Sequence, residues 1–477
     1  MAKLILSLSF ILLFSFTLAL REGSWQQGEC HLSRINAREP TFRLEAEGGV
    51  TEFWDHTNDE FQCAGVSIHR HRINPRGLVL PAYHNAPVLV YVVRGRGTLG
   101  YLISGCPETF ESSQESQQEY YEERGEEGRS HIFRDKHQKV REIRQGYVFA
   151  IPAGAAHWTY NNGEEELVTV AVQDVANYAN QLDRTPRSFY LAGNPLRGQQ
   201  QQEGRPREQR GLPEFGNVFR GFKVRPLSEA FRVDEETARL LRGENDTRGH
   251  IIRAEQGIQF VSPTLREEYG RREGQYGRGE GPYYTRDNGI EETICTAEIK
   301  ENLDKPSRAD IYNPRAGRFS TLNSLTLPIL RFIRLSAARG VLYRDAIMAP
   351  HWFLNAHSAI YFTRGECRMQ IVNHLGQAVF DGQVREGQVI VVPQNFAAVK
   401  QAGEQGCEWI EFNTNDNAMM NTLSGRTSAF RAMPVDVIAN AYQISREQAE
   451  RLKYSRRETL LFSGSSSRYE RGRVASA

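Results

Sequence analysis

The chain has 477 residues, of which 39% are hydrophobic and 25% are charged, so it is long enough for two or three globular domains. Its 59 basic and 58 acidic side chains leave a formal net charge of +1. This balance excludes the electropositive surface typical of a nucleic-acid-binding protein, and no basic run is long enough to suggest such a partner.

The first 20 residues predict a secretory signal peptide. Lys3 precedes a continuous apolar core, and the small residues Thr17 and Ala19 follow it. This order is typical of a cleaved signal, so we expect cleavage near Ala19 or Leu20. No later apolar run approaches the length of a membrane span. We therefore expect a soluble mature protein of the secretory pathway, with no membrane partner.

Cysteine usage fits that route. The chain has six cysteines, which are Cys30, Cys63, Cys106, Cys295, Cys367 and Cys407. An oxidising compartment allows them to form disulfides, but the residues alone do not choose among the many pairings. No Cys-x-x-Cys pair or Cys/His cluster suggests a zinc site.

The two halves of the chain repeat each other. Val88–Gly95 matches Ser358–Gly365, and Gly146–Pro152 matches Gly387–Pro393. The matched runs are short, β-branched and aromatic, and Gly, Pro and Asn turns separate them, as in a sandwich or barrel. The repeat predicts two homologous, mainly β domains. The first half is longer in two places, 107–131 and 197–212, which are polar and are predicted to be disordered insertions.

Each half ends in a predicted helical extension. Ser445 and Gln448 have the spacing of a capping box, and Asp234 can cap the equivalent helix of the first half. The apolar residues of these helices are Phe231, Ala238 and Leu241 in the first half and Tyr442, Ala449 and Leu452 in the second. We expect these faces to contact a neighbouring subunit.

A charged, glycine-rich run separates the two halves. Residues 263–288 have almost no apolar periodicity and should stay solvated. The run ends at Asn288-Gly289, an exposed pair that a protease can engage. A cut there would leave a first piece with a balance of −4 and a second with +4. We therefore predict a processing site at Asn288 and Gly289.

The domain boundaries follow from these features. We predict a signal peptide at 1–20, an N-terminal domain at 21–262, a disordered linker at 263–288, a C-terminal domain at 289–462 and a flexible tail at 463–477. Asn245 begins the sequon Asn-Asp-Thr and is a possible glycosylation site in a secretory protein. The end of the tail resembles a vacuolar sorting signal, although a frayed terminus has the same composition.

The spacing at Gly146, Pro152, Gly154, His157 and Asn161 resembles the second motif of the cupin barrel. In metal-binding cupins this histidine is one ligand, and the first motif supplies two more histidines and a glutamate. The positions resembling those three ligands hold Tyr83, Asn85 and Leu89 or Val90 in the first half, and Phe353, Asn355 and Ala359 or Ile360 in the second.

The second motif of the second half has Ala398 where the histidine is expected. Each half therefore keeps at most one ligand, His157 or His351, and one histidine does not make a transition-metal site. We expect both to be hydrogen-bonded interior residues. His69 and His71 can share one strand face but lack a third ligand, and His84 is expected to point away from the lost site. No metal, cofactor or catalytic residue is predicted.

Long segments then identify a narrower family. The chain resembles the legumin-type (11S) seed storage globulins, most densely at 182–195, 350–365 and 413–462, and the stretch DNGIEETIC at 287–295 resembles the family's processing site. The resemblance implies a twin-cupin precursor that forms trimers in the secretory pathway. It further implies cleavage after Asn288 by an asparaginyl endopeptidase in the protein storage vacuole, followed by hexamer assembly.

The resemblance also implies that Cys30 pairs with Cys63 and that Cys106 pairs with Cys295, the second bridge joining the acidic and basic pieces. Cys367 and Cys407 depart from the family pattern and form either a third bridge or, by default, buried thiols. Members of the family are often allergens. The favoured function is seed storage without catalysis. The alternatives are a metal-dependent cupin enzyme, which the missing ligands contradict, and a non-catalytic cupin that binds a small ligand.

Overall fold

The computed structural model describes residues 30, 32–108, 110–111, 135–195, 216–243, 245–260 and 294–464. The predicted signal peptide, the insertion 197–212 and the linker 263–288 with Asn288 and Gly289 lie outside the described residues, as do most of 107–131 and of the tail. Among the described residues, no helix is long and apolar enough to cross a membrane.

The fold is mainly β and consists of two units, as the repeat predicts. The first unit contains strands β1 (Phe42–Ala46), β2 (Gly49–Phe53), β3 (Val66–Ile73), β4 (Gly77–His84), β5 (Val88–Arg94), β6 (Arg96–Leu102), β7 (Phe110–Glu111), β8 (Lys136–His137), β9 (Val140–Arg144), β10 (Tyr147–Ile151), β11 (Ala156–Tyr160), β12 (Leu167–Asp174), β13 (Ser188–Tyr190), β14 (Ile251–Arg253) and β15 (Lys300–Asn302). Its helices are α1 (Asp59–Ala64), α2 (Val224–Phe231) and α3 (Glu235–Leu241).

Two antiparallel sheets form the first unit. One has the strand order β1-β2-β3-β12-β5-β10-β15, and the other has the order β13-β4-β11-β6-β9 with β14 also paired to β4. Strand β12 is buried along its whole length because it lies at the centre of the first sheet. Residues Phe110–Glu111 of the predicted insertion 107–131 pair with Lys136–His137 in a short separate ladder.

The second unit is one sheet that bends on two long strands. It contains β16 (Ile311–Asn313), β17 (Gly317–Leu322), β18 (Ser336–Leu342), β19 (Ile347–Phe353), β20 (Ser358–Val372), β21 (Ala378–Arg385), β22 (Val389–Val392), β23 (Ala397–Asn413), β24 (Met420–Thr422) and β25 (Leu461–Phe462). Its helices are α4 (Leu330–Ile333), α5 (Ala429–Ala432), α6 (Val435–Tyr442) and α7 (Arg446–Tyr454).

One equivalent strand pair has the same register in both units. Val88 lies opposite Ile151 in the first unit, and the matching Ser358 lies opposite Val392 in the second. The turns before β10 and β22 each contain a glycine in the left-handed conformation, Gly146 (φ 88°) and Gly387 (φ 84°). The internal repeat therefore reflects the same local structure in both halves.

The helical extensions begin as the sequence predicts. The Asp234 carboxylate accepts a hydrogen bond from the Thr237 amide at 2.7 Å and caps α3. Ser445 and Gln448 form both hydrogen bonds of a capping box at the start of α7. Each cap satisfies amide groups that the first helical turn leaves unpaired.

The two units exchange segments at their edges. Strand β15 follows the linker in sequence, yet it pairs with β10, and the flanking Ile299 and Leu303 are buried in the first unit. In the other direction, Leu32 and Ile35 pack into the core of the second unit, and the Ile35 amide donates to the Val379 carbonyl at 2.8 Å. Each unit is therefore completed by chain from the other side of the linker.

Reciprocal arginine contacts join the sheets of the two units. The Arg70 guanidinium of β3 donates to Tyr361 Oη of β20 at 2.8 Å and to the Glu52 carboxylate at 2.6 Å. In the second unit, Arg339 of β18 lies over the ring of Tyr91 of β5, with its guanidinium carbon 6.0 Å from the ring centroid. Tyr91 and Tyr361 are equivalent in the repeat, so the interface has approximate two-fold symmetry.

Candidate functional site

The interior of the first unit holds five histidines, here called the imidazole cluster: His69, His71, His84, His157 and His250. The ring centroids of His69 and His71 are 4.8 Å apart, and those of His84 and His157 are 5.1 Å apart. His69 and His84, which lie on opposite sheets, are 6.5 Å apart. The rings therefore bridge the two sheets in the interior of the first unit.

Hydroxyl groups hold three of these rings. Thr51 Oγ1 lies 2.7 Å from His71 Nδ1 and 2.5 Å from His250 Nε2, and Ser188 Oγ lies 3.0 Å from His84 Nδ1. His157 Nδ1 lies 3.4 Å from the Ala155 carbonyl. A hydroxyl between two imidazoles accepts from one and donates to the other, so these contacts suit neutral rings.

The electrostatic environment also favours neutral rings. Burial lowers the pKa of His69 and of His157 to about 4 and that of His250 to about 3. It lowers the pKa of His71 and His84 well below the ordinary value, and neighbouring imidazoles add to the effect. The cluster is therefore uncharged near neutral pH.

The expectation for His84 is wrong. The sequence comparison placed Tyr83 and Asn85 at the inward positions and His84 outside, but His84 is buried against His157, and Tyr83 stacks on Phe189. The cause is a β-bulge: His157 pairs with Ala82 and Thr159 with Val79, so three steps on β4 oppose two on β11. One extra residue moves every later side chain to the other face.

The interior of the second unit holds a buried ion pair instead. Lys400 Nζ lies 3.7 Å from Glu411 Oε2 and 3.5 Å from His351 Nε2, and all three residues are at most 2% exposed. Trp409 Nε1 donates to Glu411 Oε2 at 3.3 Å, whereas Glu411 Oε1 has no hydrogen-bond partner among the described residues. Burial and the Lys400 charge lower the pKa of His351 to about 3.

The positions of the second unit that were compared with cupin ligands contact neighbouring protein groups. His351 Nδ1–H donates to the Ala349 carbonyl at 2.8 Å, and Ala398 lies opposite His351 in the strand register. Phe353 packs edge-on to the His351 ring. Asn355 bonds backbone groups of Asn417 and Met419.

Sequence reasoning missed Lys400 and Glu411. A signal was present in β23. Lys400 alternates with the buried Ala398 and Ala402, and Glu411 interrupts the buried run 409–413. Their pairing was not readable, since the two residues lie eleven positions apart on one bent strand. In the described part of the chain, no group of three or more His, Cys, Asp or Glu side chains is arranged to hold a metal ion.

Both disulfides implied by the family resemblance are present. Cys30 is joined to Cys63, and Cys106 is joined to Cys295 across the linker. A cavity of about 220 Å³ adjoins the second bridge and is lined in part by Tyr101, Ile103 and Arg141. Asn245 is exposed in a turn that follows α3.

The two helix pairs divide their apolar residues between core and surface. Ala238 and Ala449, which are equivalent in the repeat, are fully buried within the chain. The equivalent aromatics Phe231 and Tyr442 are 51% and 54% exposed, and Leu452 is also largely exposed. The prediction that every apolar residue of these helices faces a neighbouring subunit is therefore wrong for the two alanines, which are buried within the chain.

Comparison with known proteins assigns the family. The Cupin family model matches residues 35–197 and 301–450. An 11S globulin seed storage protein of Anacardium occidentale is 48% identical over 472 residues, covering 98% of this chain and 99% of the relative. The chain belongs to the 11S globulins, a family of cupin seed storage proteins.

Solved 11S globulin structures match the fold. Procruciferin of Brassica napus has a TM-score of 0.78 at 42% identity, covering 93% of this chain and all of the other. The coconut allergen cocosin has a TM-score of 0.77 at 44% identity, covering 91% and 100%. The resemblance read from the sequence is confirmed, and the named relatives support a storage role for this 11S globulin.

Proposed function

We propose that this 11S globulin is a non-catalytic nutrient reservoir that is stored in the protein storage vacuole as a cleaved, disulfide-linked hexamer. One observation supports the cleaved form most directly. Cys106 and Cys295 are bonded across the segment that contains Asn288 and Gly289. A cut after Asn288 therefore leaves the acidic and basic pieces covalently joined.

The interiors of the two units support a role without catalysis. The first holds neutral imidazoles hydrogen-bonded to hydroxyl groups, and the second holds a lysine paired with a glutamate. Both sets lie in the interior and contact other protein groups there, which favours a structural role for them. The composition suits a reserve, because arginines outnumber lysines by 51 to 8 and arginine carries more nitrogen.

Cleavage is tested on protein from its native tissue. We expect one band without reductant that splits on reduction, with the smaller piece beginning at Gly289. Asn288→Ala should abolish the split, whereas Asn162→Ala, at an Asn-Gly pair whose asparagine bonds Thr98, should leave it unchanged. An intact reduced chain, or N288A precursor that forms hexamers as readily as processed protein, would contradict the proposal.

Assembly through the helix pairs is the second expectation. Each chain presents one helix pair from each unit with exposed aromatic residues, and a head-to-tail contact between unlike pairs is a geometry from which a closed ring can form. Tyr442→Glu places a charge in that contact and should convert trimers and hexamers into monomers, as measured by light scattering. Leu375→Glu, at a 66% exposed position in the β20–β21 turn, is the matched control and should assemble normally. Unchanged mass for both variants would exclude the helices as the contact.

A further inference from the structure

Two cysteines that are not in a disulfide meet in the core of the second unit. Cys367 lies on β20 and Cys407 on β23, and they are 0% and 1% exposed. The Cys407 thiol points at Cys367, and the two Sγ atoms are 2.7 Å apart. A disulfide has a sulfur separation of about 2.05 Å, so bond formation needs only a small further approach.

Strand register produces this approach. Gly365 lies opposite Cys407, and Cys367 lies opposite Ala402, so residues 403–406 of β23 have no register partner on β20 between the two pairs. This bulge brings Cys407 next to a residue two positions further along β20. The backbones are tight here, since a Cβ atom on Gly365 would lie 2.2 Å from the Gly406 carbonyl oxygen.

The surroundings leave the two sulfur atoms few other partners. Both belong to the apolar core of the second unit, which also contains Leu342, Met369 and Ala402. A buried thiol is only a weak hydrogen-bond donor. The other four cysteines of the chain are all bonded in pairs, so this protein folds where thiols are oxidised.

We propose that Cys367 and Cys407 form a third disulfide, inside the second unit. The oxidant is a protein disulfide of the class that forms the other two bridges. One cysteine thiolate attacks a sulfur of that disulfide, releases its partner thiolate and forms a mixed disulfide. The second cysteine then attacks the first cysteine's sulfur and releases the oxidant as a dithiol, which takes up the two protons and two electrons.

Burial sets when this exchange takes place. No oxidoreductase reaches a side chain that is fully enclosed, so the bond forms before β20 and β23 close over it. The same enclosure protects the bond afterwards, whereas Cys106 and Cys295 are both partly exposed. A reductant acting on the folded protein should therefore reduce Cys106–Cys295 and leave Cys367–Cys407 intact.

The test uses full-length protein that has never met a reductant, unfolded in guanidinium chloride with iodoacetamide and analysed by mass spectrometry. We expect no added alkyl group, and a disulfide joining tryptic peptides 365–368 and 401–426. Reduction of the folded protein should label Cys106 and Cys295, and also the pair Cys30–Cys63 because Cys30 is exposed, but not Cys367 or Cys407. Reduction after unfolding should label all six.

Alkyl groups on both Cys367 and Cys407 in the unreduced protein would overturn the proposal, as would a bond from either to another cysteine. Cys367→Ser is the matched variant and should leave Cys407 open to alkylation after unfolding, with Cys407→Ser doing the converse. If neither variant folds, the peptide map of the unaltered chain still decides. The outcome is independent of whether the chain is cut at Asn288.

Discussion

Acidification from pH 7 to pH 4 should destabilise this globulin by several kcal/mol, mainly through the imidazole cluster. The pKa of His69 in the folded protein is about 4, below its ordinary value of 6.5. The unfolded chain therefore binds more protons in that interval, and the free energy of unfolding falls as the pH falls. At about 1.4 kcal/mol for each pKa unit, one such imidazole lowers the free energy of unfolding by roughly 3 kcal/mol at pH 4.

A buried carboxyl group opposes this trend in part. Burial raises the pKa of Asp174 to about 7. The folded protein then holds a proton that the unfolded chain releases, so this group adds stability as the pH falls from about 7 towards 3.8. It is one group against five imidazoles, and the net change remains a loss.

Urea unfolding at a series of pH values measures the effect. The free energy of unfolding should be lower at pH 4 than at pH 7, with most of the change below pH 6.5. His69→Gln combined with His84→Gln removes two of the five imidazoles and should flatten the slope. His374→Gln, at an exposed residue outside the cluster, is the control and should leave the slope unchanged. Equal slopes in all three proteins would show that the cluster is not the cause.

Replacing Lys400 with methionine should cost about 3–5 kcal/mol of folding free energy, because it leaves the Glu411 carboxylate buried without its cation. The pair lies 3.7 Å apart with almost no solvent contact. Glu411→Gln should have a comparable cost, since it leaves a buried lysine without a counter-charge. Denaturant unfolding of the purified variants gives both values.

The double variant Lys400→Met with Glu411→Gln decides whether the two charges act on each other. If they do, its loss should be much smaller than the sum of the single losses. Arg368→Met breaks the exposed ion pair with Asp381, at 58% and 39% side-chain exposure, and should change stability by less than about 1 kcal/mol. Additive losses in the double variant would mean that each side chain contributes through packing alone.

Local signals in the sequence predicted much of the fold. The repeat placed Gly146 and Gly387 in equivalent turns, and both residues adopt the left-handed conformation there. Helix caps at Asp234 and Ser445 were readable because a cap depends on residues three positions apart. The disulfide partners came from the family resemblance, since spacing alone left many pairings open.

The interior chemistry was harder to predict, because it depends on contacts between distant strands. A bulge of one residue turned His84 inwards, and Pro81, which lies inside it, is a local signal because a proline within a strand favours an edge or a bulge. The cupin ligand positions predict only the residues that a metal site would need. Lys400 and Glu411 are not among those positions, and they form a buried ion pair in the interior of the second unit.

The exchanged segments give the cut chain an unusual property. A break anywhere in 261–293 would put β15 and its partner strand β10 on different polypeptides. It would likewise put Ile35 on a different polypeptide from most of the core that it packs into. Neither polypeptide would then contain a whole fold, so each would depend on the other to hide its apolar surface. The two pieces would behave as halves of one cooperative body, held by shared sheets and cores even after the Cys106–Cys295 bridge is reduced.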